Sequence, residues 1–174
     1  RWSKQYIDSE TETIDSMNNL IDWLPNNLPT EKRTGIVHGD YSLTNVMIGK
    51  NDPNVIAILD WELSTLGDPC ADFNYHCLQY TMNPKLADKD YCKNQGIPVI
   101  DDYVKMYSDK IEIDLTEEWD LYSAYNLFKL AGILQGILGR VRDGTAAHEN
   151  AAERASGVRN LSDKAWDLVK KNFL

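Results

Sequence analysis

The chain is 174 residues long, with 43% hydrophobic and 26% charged residues, so one domain with a hydrophobic core is expected and two full domains would be crowded. Its formal net charge of −9 argues against general nucleic-acid binding and against binding to an anionic membrane surface. The longest apolar run, residues 130–139, is about half the roughly 20 residues that a membrane span requires, and Gln135 interrupts it. A soluble protein is therefore expected.

The first part of the chain predicts one helix followed by short strands. Apolar residues recur at helical spacing from Ile14 to Leu24, and Pro25 ends the pattern. Three short apolar segments rich in β-branched residues, GIVH, NVMIG and VIAILD, are typical of strands. The last two are separated by KNDPN, which is a turn signal, so they predict a β-hairpin.

The part of the chain after the hairpin is predicted to be helical. Asp68 is a good N-cap and Pro69 suits the first helical position, so a helix is expected to begin there. Residues 83–98 are polar and contain Pro and Gly, which predicts an irregular connection before an amphipathic helix from Val99 to Tyr107.

The longest predicted helix runs from Leu115 to Arg142 and is apolar on most sides, as expected of a central buried helix. Its Gly132 and Gly136 indicate close packing against another helix. Asp143-Gly144 should end it, and Thr145 could cap the next helix. The last helix would bury Trp166, Leu168 and Val169.

The three cysteines are an odd number without framework spacing, which favours a reducing compartment. A zinc site formed with His76 is disfavoured because no Cys-x-x-Cys pair is present. We expect Cys70 and Cys77 to be packed positions of one helix instead.

Polar residues cluster around the predicted hairpin and suggest phosphoryl transfer from ATP. That reaction needs a carboxylate to orient the acceptor hydroxyl and take its proton, and oxygen ligands that hold magnesium against the phosphates. In HGDYSLTN, Asp40 could serve the hydroxyl and the side-chain oxygen of Asn45 could bind the metal. A second metal ligand, Asp60, follows the other hairpin strand.

The pattern His-Gly-Asp-x-x-x-x-Asn, followed by Asp-Trp-Glu, resembles the catalytic core of the aminoglycoside phosphotransferase and choline kinase family, relatives of protein kinases. AILDWELSTLGDPCADFNYH, WLPNNLP and FKLAGILQGILGR are similar to the phosphotransferase domains of acyl-CoA dehydrogenase family members 10 and 11. The resemblance covers nearly the whole chain. It implies an α+β fold: the mostly helical C-terminal lobe of a protein-kinase-like fold, with a small β-hairpin carrying the active site.

The resemblance also implies a role for each residue of the motifs. Asp40 would be the catalytic base, and Asn45 and Asp60 would be ligands of Mg²⁺. In supporting positions, His38 would hold the loop, Glu62 would lie near the metal or its waters, and Asp68 and Asp72 would brace the site. For Asp68 the reading as a helix N-cap is the favoured alternative.

Kinase-like enzymes cover the nucleotide with a smaller lobe that carries a phosphate-covering loop and a lysine. The sequence contains neither Gly-x-Gly-x-x-Gly nor Gly-x-x-x-x-Gly-Lys-Ser/Thr. Residues 1–174 are therefore expected to be the C-terminal catalytic lobe alone, with the N-terminal lobe absent from this chain. Such a piece should bind ATP weakly and turn over poorly.

The charge distribution bears on the acceptor. Residues 1–128 carry 10 Lys+Arg and 22 Asp+Glu, whereas residues 129–174 carry 8 and 5. A positive face around Gln135, Arg140 and Arg142 would suit an anionic acceptor, although ordinary solvated helix faces would show the same pattern. Together with the resemblance, this favours a hydroxyacyl-CoA or a hydroxy acid as the acceptor.

Three other functions remain open at this point. The chain could be a catalytically inactive kinase-like scaffold or binding module associated with an acyl-CoA dehydrogenase, and a fused acyl-CoA dehydrogenase domain is an expected partner. It could phosphorylate choline-like, antibiotic or protein hydroxyls. A metal-dependent hydrolase is disfavoured because histidine-rich ligand sets are missing. By analogy with dehydrogenase-fused relatives, an intracellular location in mitochondria or peroxisomes is expected.

Overall fold

The computed structural model describes residues 1–31 and 33–174. The chain divides into two units, one formed by Arg1–Pro29 with Ser123–Leu174 and the other by Thr30–Tyr122. In the described part the helices are α1 (Trp2–Ser9), α2 (Asp15–Trp23), α3 (Pro69–Cys77), α4 (Gln79–Met82), α5 (Pro84–Ala87), α6 (Lys89–Asn94), α7 (Ile100–Ile111), α8 (Trp119–Arg142), α9 (Ala151–Arg154) and α10 (Val158–Asn172). The strands are β1 (Gly35–Val37), β2 (Val46–Ile48), β3 (Val55–Ile58) and β4 (Thr65–Gly67). The fold is α+β and mostly helical, as predicted.

The predicted hairpin is present in the second unit. Strands β2 and β3 pair antiparallel, with Val46 opposite Ile58 and Met47 opposite Ala57. Strand β4 was not predicted, because WELSTLG lacks a strand pattern, yet it pairs antiparallel with β1. The three strand segments of the sequence prediction are confirmed, and a fourth completes two small sheets.

Helix α3 begins where the sequence predicts. The Asp68 side chain accepts a hydrogen bond from the main-chain N–H of Cys70, and Pro69 occupies the first turn. Cys70 and Cys77 are buried in a cluster with Phe73 of the same helix. Burial is the main cause that raises the pKa of both thiols to about 12, so they pack as small apolar groups.

Three sequence predictions about the helices are wrong. Residues 83–98 contain α5 and α6, because the side chains of Asn83 and Asp88 cap helices that composition alone did not reveal. Helix α8 begins at Trp119 rather than Leu115. The hydroxyl of Thr145 donates to the Arg140 carbonyl at the end of α8, so it closes the preceding helix instead of capping the next.

In the first unit, α8 packs closely against α1 through its glycines. A Cβ atom built on Gly136 would lie 2.8 Å from Gln5 Nε2, and one on Gly139 would lie 2.7 Å from Ser9 Cβ. The close packing expected at Gly136 is therefore confirmed, whereas a Cβ atom on Gly132 would make only an ordinary contact, 3.5 Å from the Trp2 carbonyl oxygen. The last helix, α10, buries Val169 and contacts α2, where Ser16 donates to Ser162 over 2.8 Å. No helix among the described residues has the length and apolarity needed to cross a membrane.

Candidate active site

The loop between β1 and β2 carries the predicted base and begins at His38, which is only 2% exposed. Its neighbour Gly39 has φ +86°, and a Cβ atom there would lie 2.5 Å from the Leu63 carbonyl oxygen. Only glycine fits at this position, both because of the left-handed backbone and because of the close approach. The loop is therefore packed down onto the segment that follows Asp60.

The His38 ring links the loop to the end of β3. Its Nδ1 accepts the main-chain N–H of Asp40 over 3.2 Å, and its Nε2 lies 2.7 Å from the Leu59 carbonyl oxygen. Because a carbonyl oxygen only accepts, these contacts require a neutral ring with the proton on Nε2. One imidazole thus sets the spacing between Asp40 and the residue before Asp60, which agrees with the structural role expected of His38.

Asp40 and Asn45 are held together directly. The Asn45 amide nitrogen donates to the main-chain oxygen of Asp40 over 2.9 Å and to Asp40 Oδ2 over 3.1 Å. With both donated bonds on Asp40, the amide oxygen is the atom of Asn45 that could bind a cation. The loop therefore presents a half-buried carboxylate in a defined orientation.

Asn45 and Asp60 become neighbours because the hairpin pairing continues beyond the strands. The Leu59 N–H donates to the Asn45 carbonyl over 2.8 Å, which places Asp60 one residue from that pair. Asp60 is exposed and has φ +66° and ψ +58°, a left-handed conformation that is uncommon outside glycine. Such strained residues are concentrated at ligand sites.

The donor set of Asn45 and Asp60 fits Mg²⁺. This ion prefers oxygen ligands, is commonly bound through one or two carboxylates and substrate phosphates, and keeps several waters. Among the described residues, no three His, Cys, Asp or Glu side chains converge as an all-protein metal cage. The side-chain oxygens of Asn45 and Asp60, next to the Asp40 carboxylate, therefore suit a metal ion that binds together with phosphates. They suit a permanently bound metal ion less well.

Asp72 braces the loop from α3. Its carboxylate accepts the main-chain N–H groups of His38 and of Gly39, the latter over 2.9 Å. Asp68, besides capping α3, accepts the Tyr122 hydroxyl on Oδ2 over 2.7 Å. Thus the structure brings Asp72 to the loop and gives Asp68 the N-cap role that the sequence favoured.

Glu62 is exposed in a short 3₁₀ turn, Trp61–Leu63. Within the described residues its carboxylate forms no hydrogen bond or ion pair. Its expected place near a metal or its waters stays a prediction.

Four aromatic residues of the second unit were not assigned to the site by the sequence reasoning. Burial raises the pKa of the Tyr75 hydroxyl, and the Asp40 carboxylate raises it further. The His76 ring lies 5.6 Å from that of Tyr41, centroid to centroid, and its Nε2 lies 3.3 Å from the Tyr103 hydroxyl. Burial lowers the pKa of His76, so this aromatic group is uncharged at neutral pH.

The three residues expected to contact the acceptor belong to the first unit. Gln135 is fully buried, and its amide donates to the Ser9 carbonyl over 2.6 Å, so it serves helix packing in this structure. Arg142 donates to the Glu10 carbonyl over 2.9 Å and pairs with Asp143. Gln135 therefore has no free surface for an acceptor contact, whereas Arg142 is exposed but has its guanidinium engaged by these two partners.

Arg140 differs from these two residues. It is exposed and lines an open cavity of about 520 Å³ beside α1, together with Arg1 and Lys4. Arg140 is therefore placed to meet a ligand in this cavity.

Comparison with known proteins gives consistent results. Residues 1–125 match the family APH, described as the phosphotransferase enzyme family. The chain is 39% identical over 98% of its length to acyl-CoA dehydrogenase family member 10 of Mus musculus, and 33% identical over 99% to family member 11 of Homo sapiens. It spans only 16% and 23% of the lengths of these two relatives.

The fold is similar to that of a solved structure. A crystal structure of a candidate aminoglycoside phosphotransferase from Ralstonia eutropha superposes with a TM-score of 0.91 and 42% identity. The superposition covers 100% of this chain and 54% of that one. The kinase-like α+β architecture expected from the motifs is thereby confirmed.

Proposed function

Because the chain belongs to the phosphotransferase enzyme family, we propose that it transfers the γ-phosphate of ATP to a hydroxyl group of a small molecule, with Mg²⁺ as cofactor. One observation supports this most: the Asn45 amide nitrogen orients the Asp40 carboxylate, while hairpin pairing sets Asn45 beside Asp60. A base and two metal-binding oxygens side by side are what this reaction requires.

In the proposed reaction, the Asp40 carboxylate accepts a hydrogen bond from the acceptor hydroxyl and then its proton. The hydroxyl oxygen forms a bond to the γ-phosphorus as the bond to the β-phosphate oxygen breaks, which releases ADP. Asn45 holds Asp40 in orientation, and His38 and Asp72 keep the loop backbone from shifting. Most of the protein's contribution is thus positioning.

Asn45 and Asp60 would hold the metal through their side-chain oxygens. When bound, Mg²⁺ supplies positive charge that offsets the negative charge on the phosphates.

Asp60→Asn tests this assignment, because it removes the charge and keeps the shape of the side chain. We expect the Mg²⁺ concentration for half-maximal turnover to rise at least about tenfold, as for loss of a charged ligand. The measurement is the rate of ADP release as a function of Mg²⁺ concentration at a fixed ATP concentration. Asp52→Asn is the control, because Asp52 is an exposed residue of the hairpin turn. An unchanged Mg²⁺ requirement would contradict the role of Asp60.

For the acceptor we propose a hydroxyacyl-CoA or a related hydroxy acid. The relatives named acyl-CoA dehydrogenase family members support this class, as does the net positive charge of residues 129–174. Phosphorylation of a hydroxyl on an acyl chain would create a leaving group for later chemistry in a dehydrogenase partner. A second lobe covering the nucleotide, and a mitochondrial or peroxisomal location, stay predictions.

Arg140→Ala tests the anionic acceptor. If Arg140 contacts the acceptor, the KM for the acceptor should rise about tenfold, while kcat and the KM for ATP stay the same. The variant loses an ionic contact of about 1.5 kcal/mol that is made equally in the ground state and in the transition state. Arg159→Ala is the matched control, because Arg159 is exposed and pairs with Glu12. Equal KM values in both variants would exclude a role for Arg140.

ADP release measured with a panel of acceptors tests the function as a whole. The panel contains a hydroxyacyl-CoA thioester, a free hydroxy acid, choline and an aminoglycoside, and the protein is used in its natural full-length context. Turnover with the first two compounds would support the proposal, and turnover with choline or the aminoglycoside would change the acceptor class. Failure of Mg-ATP to bind would favour the alternative, a kinase-like scaffold or binding module without catalysis.

A further inference from the structure

The side chain of Trp61 bridges the left-handed residue Asp60. The indole N–H of Trp61 donates to the main-chain carbonyl of Ile58 over 2.8 Å. This hydrogen bond closes a turn of residues 58–61 in which Asp60, with φ +66°, is the third residue. A left-handed backbone is unfavourable for a residue other than glycine, so it persists where neighbouring contacts hold it. The Trp61 side chain supplies one such contact.

The same indole contacts the ring of His38. The two ring centroids are 4.7 Å apart, and the ring planes are inclined by 49°. The buried His38 ring places its own Nε2 at 2.7 Å from the Leu59 carbonyl oxygen. Two consecutive carbonyl groups at the end of β3, those of Ile58 and Leu59, are therefore engaged by two rings that contact each other.

Burial of a whole tryptophan side chain does not account for Trp61. A tryptophan in a core contributes mainly by removing its large ring system from water. The Trp61 side chain is 45% exposed, and Leu59 is 46% exposed, so this segment runs over the surface. The hydrogen bond to Ile58 and the contact with His38 are therefore a large part of what this side chain contributes.

The contact of Trp61 reaches the base through His38. The Nδ1 atom of that imidazole accepts the main-chain N–H of Asp40 over 3.2 Å. Rotation of the imidazole would break the hydrogen bonds of both its nitrogens, and the indole packed against it opposes that rotation. The main chain of Asp40 is thus connected, through one imidazole and one indole, to the main chain on both sides of Asp60.

We propose that Trp61 is a positioning residue that couples the metal ligand to the base. Its N–H group holds the backbone of Asp60, and its ring holds the His38 imidazole on which the loop of Asp40 depends. This role rests on the proposed phosphotransfer. It makes the Mg²⁺ requirement and the turnover rate depend on one side chain that acts through its neighbours.

Trp61→Phe keeps an aromatic ring and removes the N–H group. We expect the Mg²⁺ concentration for half-maximal ADP release to rise about three- to tenfold, the effect of losing one hydrogen bond, while kcat at saturating Mg²⁺ falls less than about threefold. Trp61→Leu removes the ring as well. In that variant kcat should fall about tenfold, because the His38 imidazole is no longer held.

Trp23 in the first unit provides the matched control. Its ring centroid lies 5.9 Å from that of Phe173, with the planes inclined by 44°, so the contact resembles that of Trp61 with His38. Trp23→Leu should change neither the Mg²⁺ requirement nor kcat. In an Asp60→Asn background, Trp61→Phe should cause little further rise in the Mg²⁺ requirement, because the ligand that Trp61 positions is already weakened.

A binding measurement tests the role of Trp61 without turnover. Mg²⁺ is titrated by calorimetry into the full-length protein saturated with a non-hydrolysable ATP analogue. The Kd for Mg²⁺ should rise about three- to tenfold in Trp61→Phe and stay unchanged in Trp23→Leu. All variants are compared well below their Tm, which circular dichroism measures, so that loss of stability is not mistaken for loss of positioning.

The outcomes separate this proposal from the proposed function. A lower Tm in both Trp61 variants, with the Kd for Mg²⁺ and kcat unchanged and the wild type active, would refute the positioning role alone. A full additional effect of Trp61→Phe in the Asp60→Asn background would also refute it, since Trp61 would then act independently of Asp60. A raised Kd for Mg²⁺ in Trp61→Phe, with no phosphotransfer by the wild type, would refute the proposed function and support the link between Trp61 and Asp60.

Discussion

Asp40→Asn is expected to reduce turnover by about 100-fold or more while Mg-ATP still binds. An amide of the same shape cannot take the proton of the acceptor hydroxyl, and a positioned general base contributes roughly 10²–10⁴ in rate. In this variant the Asn45 side chain would face the amide introduced at position 40 instead of the Asp40 carboxylate. Its hydrogen bond to the main-chain oxygen of residue 40 would remain, because that bond does not involve the side chain of residue 40. The loss should therefore appear in kcat and leave the KM for ATP within about twofold.

Single-turnover ADP release, together with calorimetric titration of Mg-ATP, measures both quantities. Asp109→Asn is the matched control, since Asp109 is exposed and pairs with Lys105. If Asp40→Asn kept most of its kcat, Asp40 would not be the base. If it also lost Mg-ATP binding, Asp40 would have to be assigned to the metal.

Asp72→Ala is expected to destabilise the fold and to remove activity together. It leaves two main-chain N–H groups, those of the buried His38 and Gly39, without their acceptor. An unsatisfied buried donor costs about 1–3 kcal/mol, so a total loss of about 3 kcal/mol in the free energy of unfolding is reasonable. For a chain of this size that corresponds to a fall in Tm of roughly 6–12 °C.

Asp72→Asn should give an intermediate result, because its amide keeps one acceptor oxygen. Thermal unfolding followed by circular dichroism, with kcat measured well below the Tm, separates instability from misplacement of the loop. Asp101→Ala, which breaks an exposed pair with Lys89, should leave Tm and kcat unchanged. Full stability in Asp72→Ala would mean that the loop is held by contacts other than those of α3.

Much of the local structure around the site could be predicted from sequence. The hairpin of β2 and β3 follows from two β-branched segments and the KNDPN turn between them, and α3 begins at Asp68-Pro69. These features depend on residues that are neighbours in the chain. The order of Asp40, Asn45 and Asp60 around the hairpin likewise predicts that loop and strand end meet, and the Leu59–Asn45 hydrogen bond brings them together.

Contacts between distant segments were beyond sequence reasoning. Tyr75 looked like one aromatic residue among several, and only the packing of α3 brings it close enough to Asp40 for that carboxylate to raise its pKa, after the larger effect of burial. Strand β4 has no local strand pattern and exists because β1 offers it unpaired main-chain groups.

Long-range contacts also distinguish the three residues that were expected to bind the acceptor. Gln135, Arg140 and Arg142 were equivalent in sequence, as polar residues near the end of one helix. The packing of α1 against α8 buries Gln135 and leaves Arg140 exposed.

The sequence by itself determined which chemistry is available, since residue types and local spacing are properties of the chain. The tertiary structure decided which side chains meet, since burial and long-range hydrogen bonds depend on how separate elements pack.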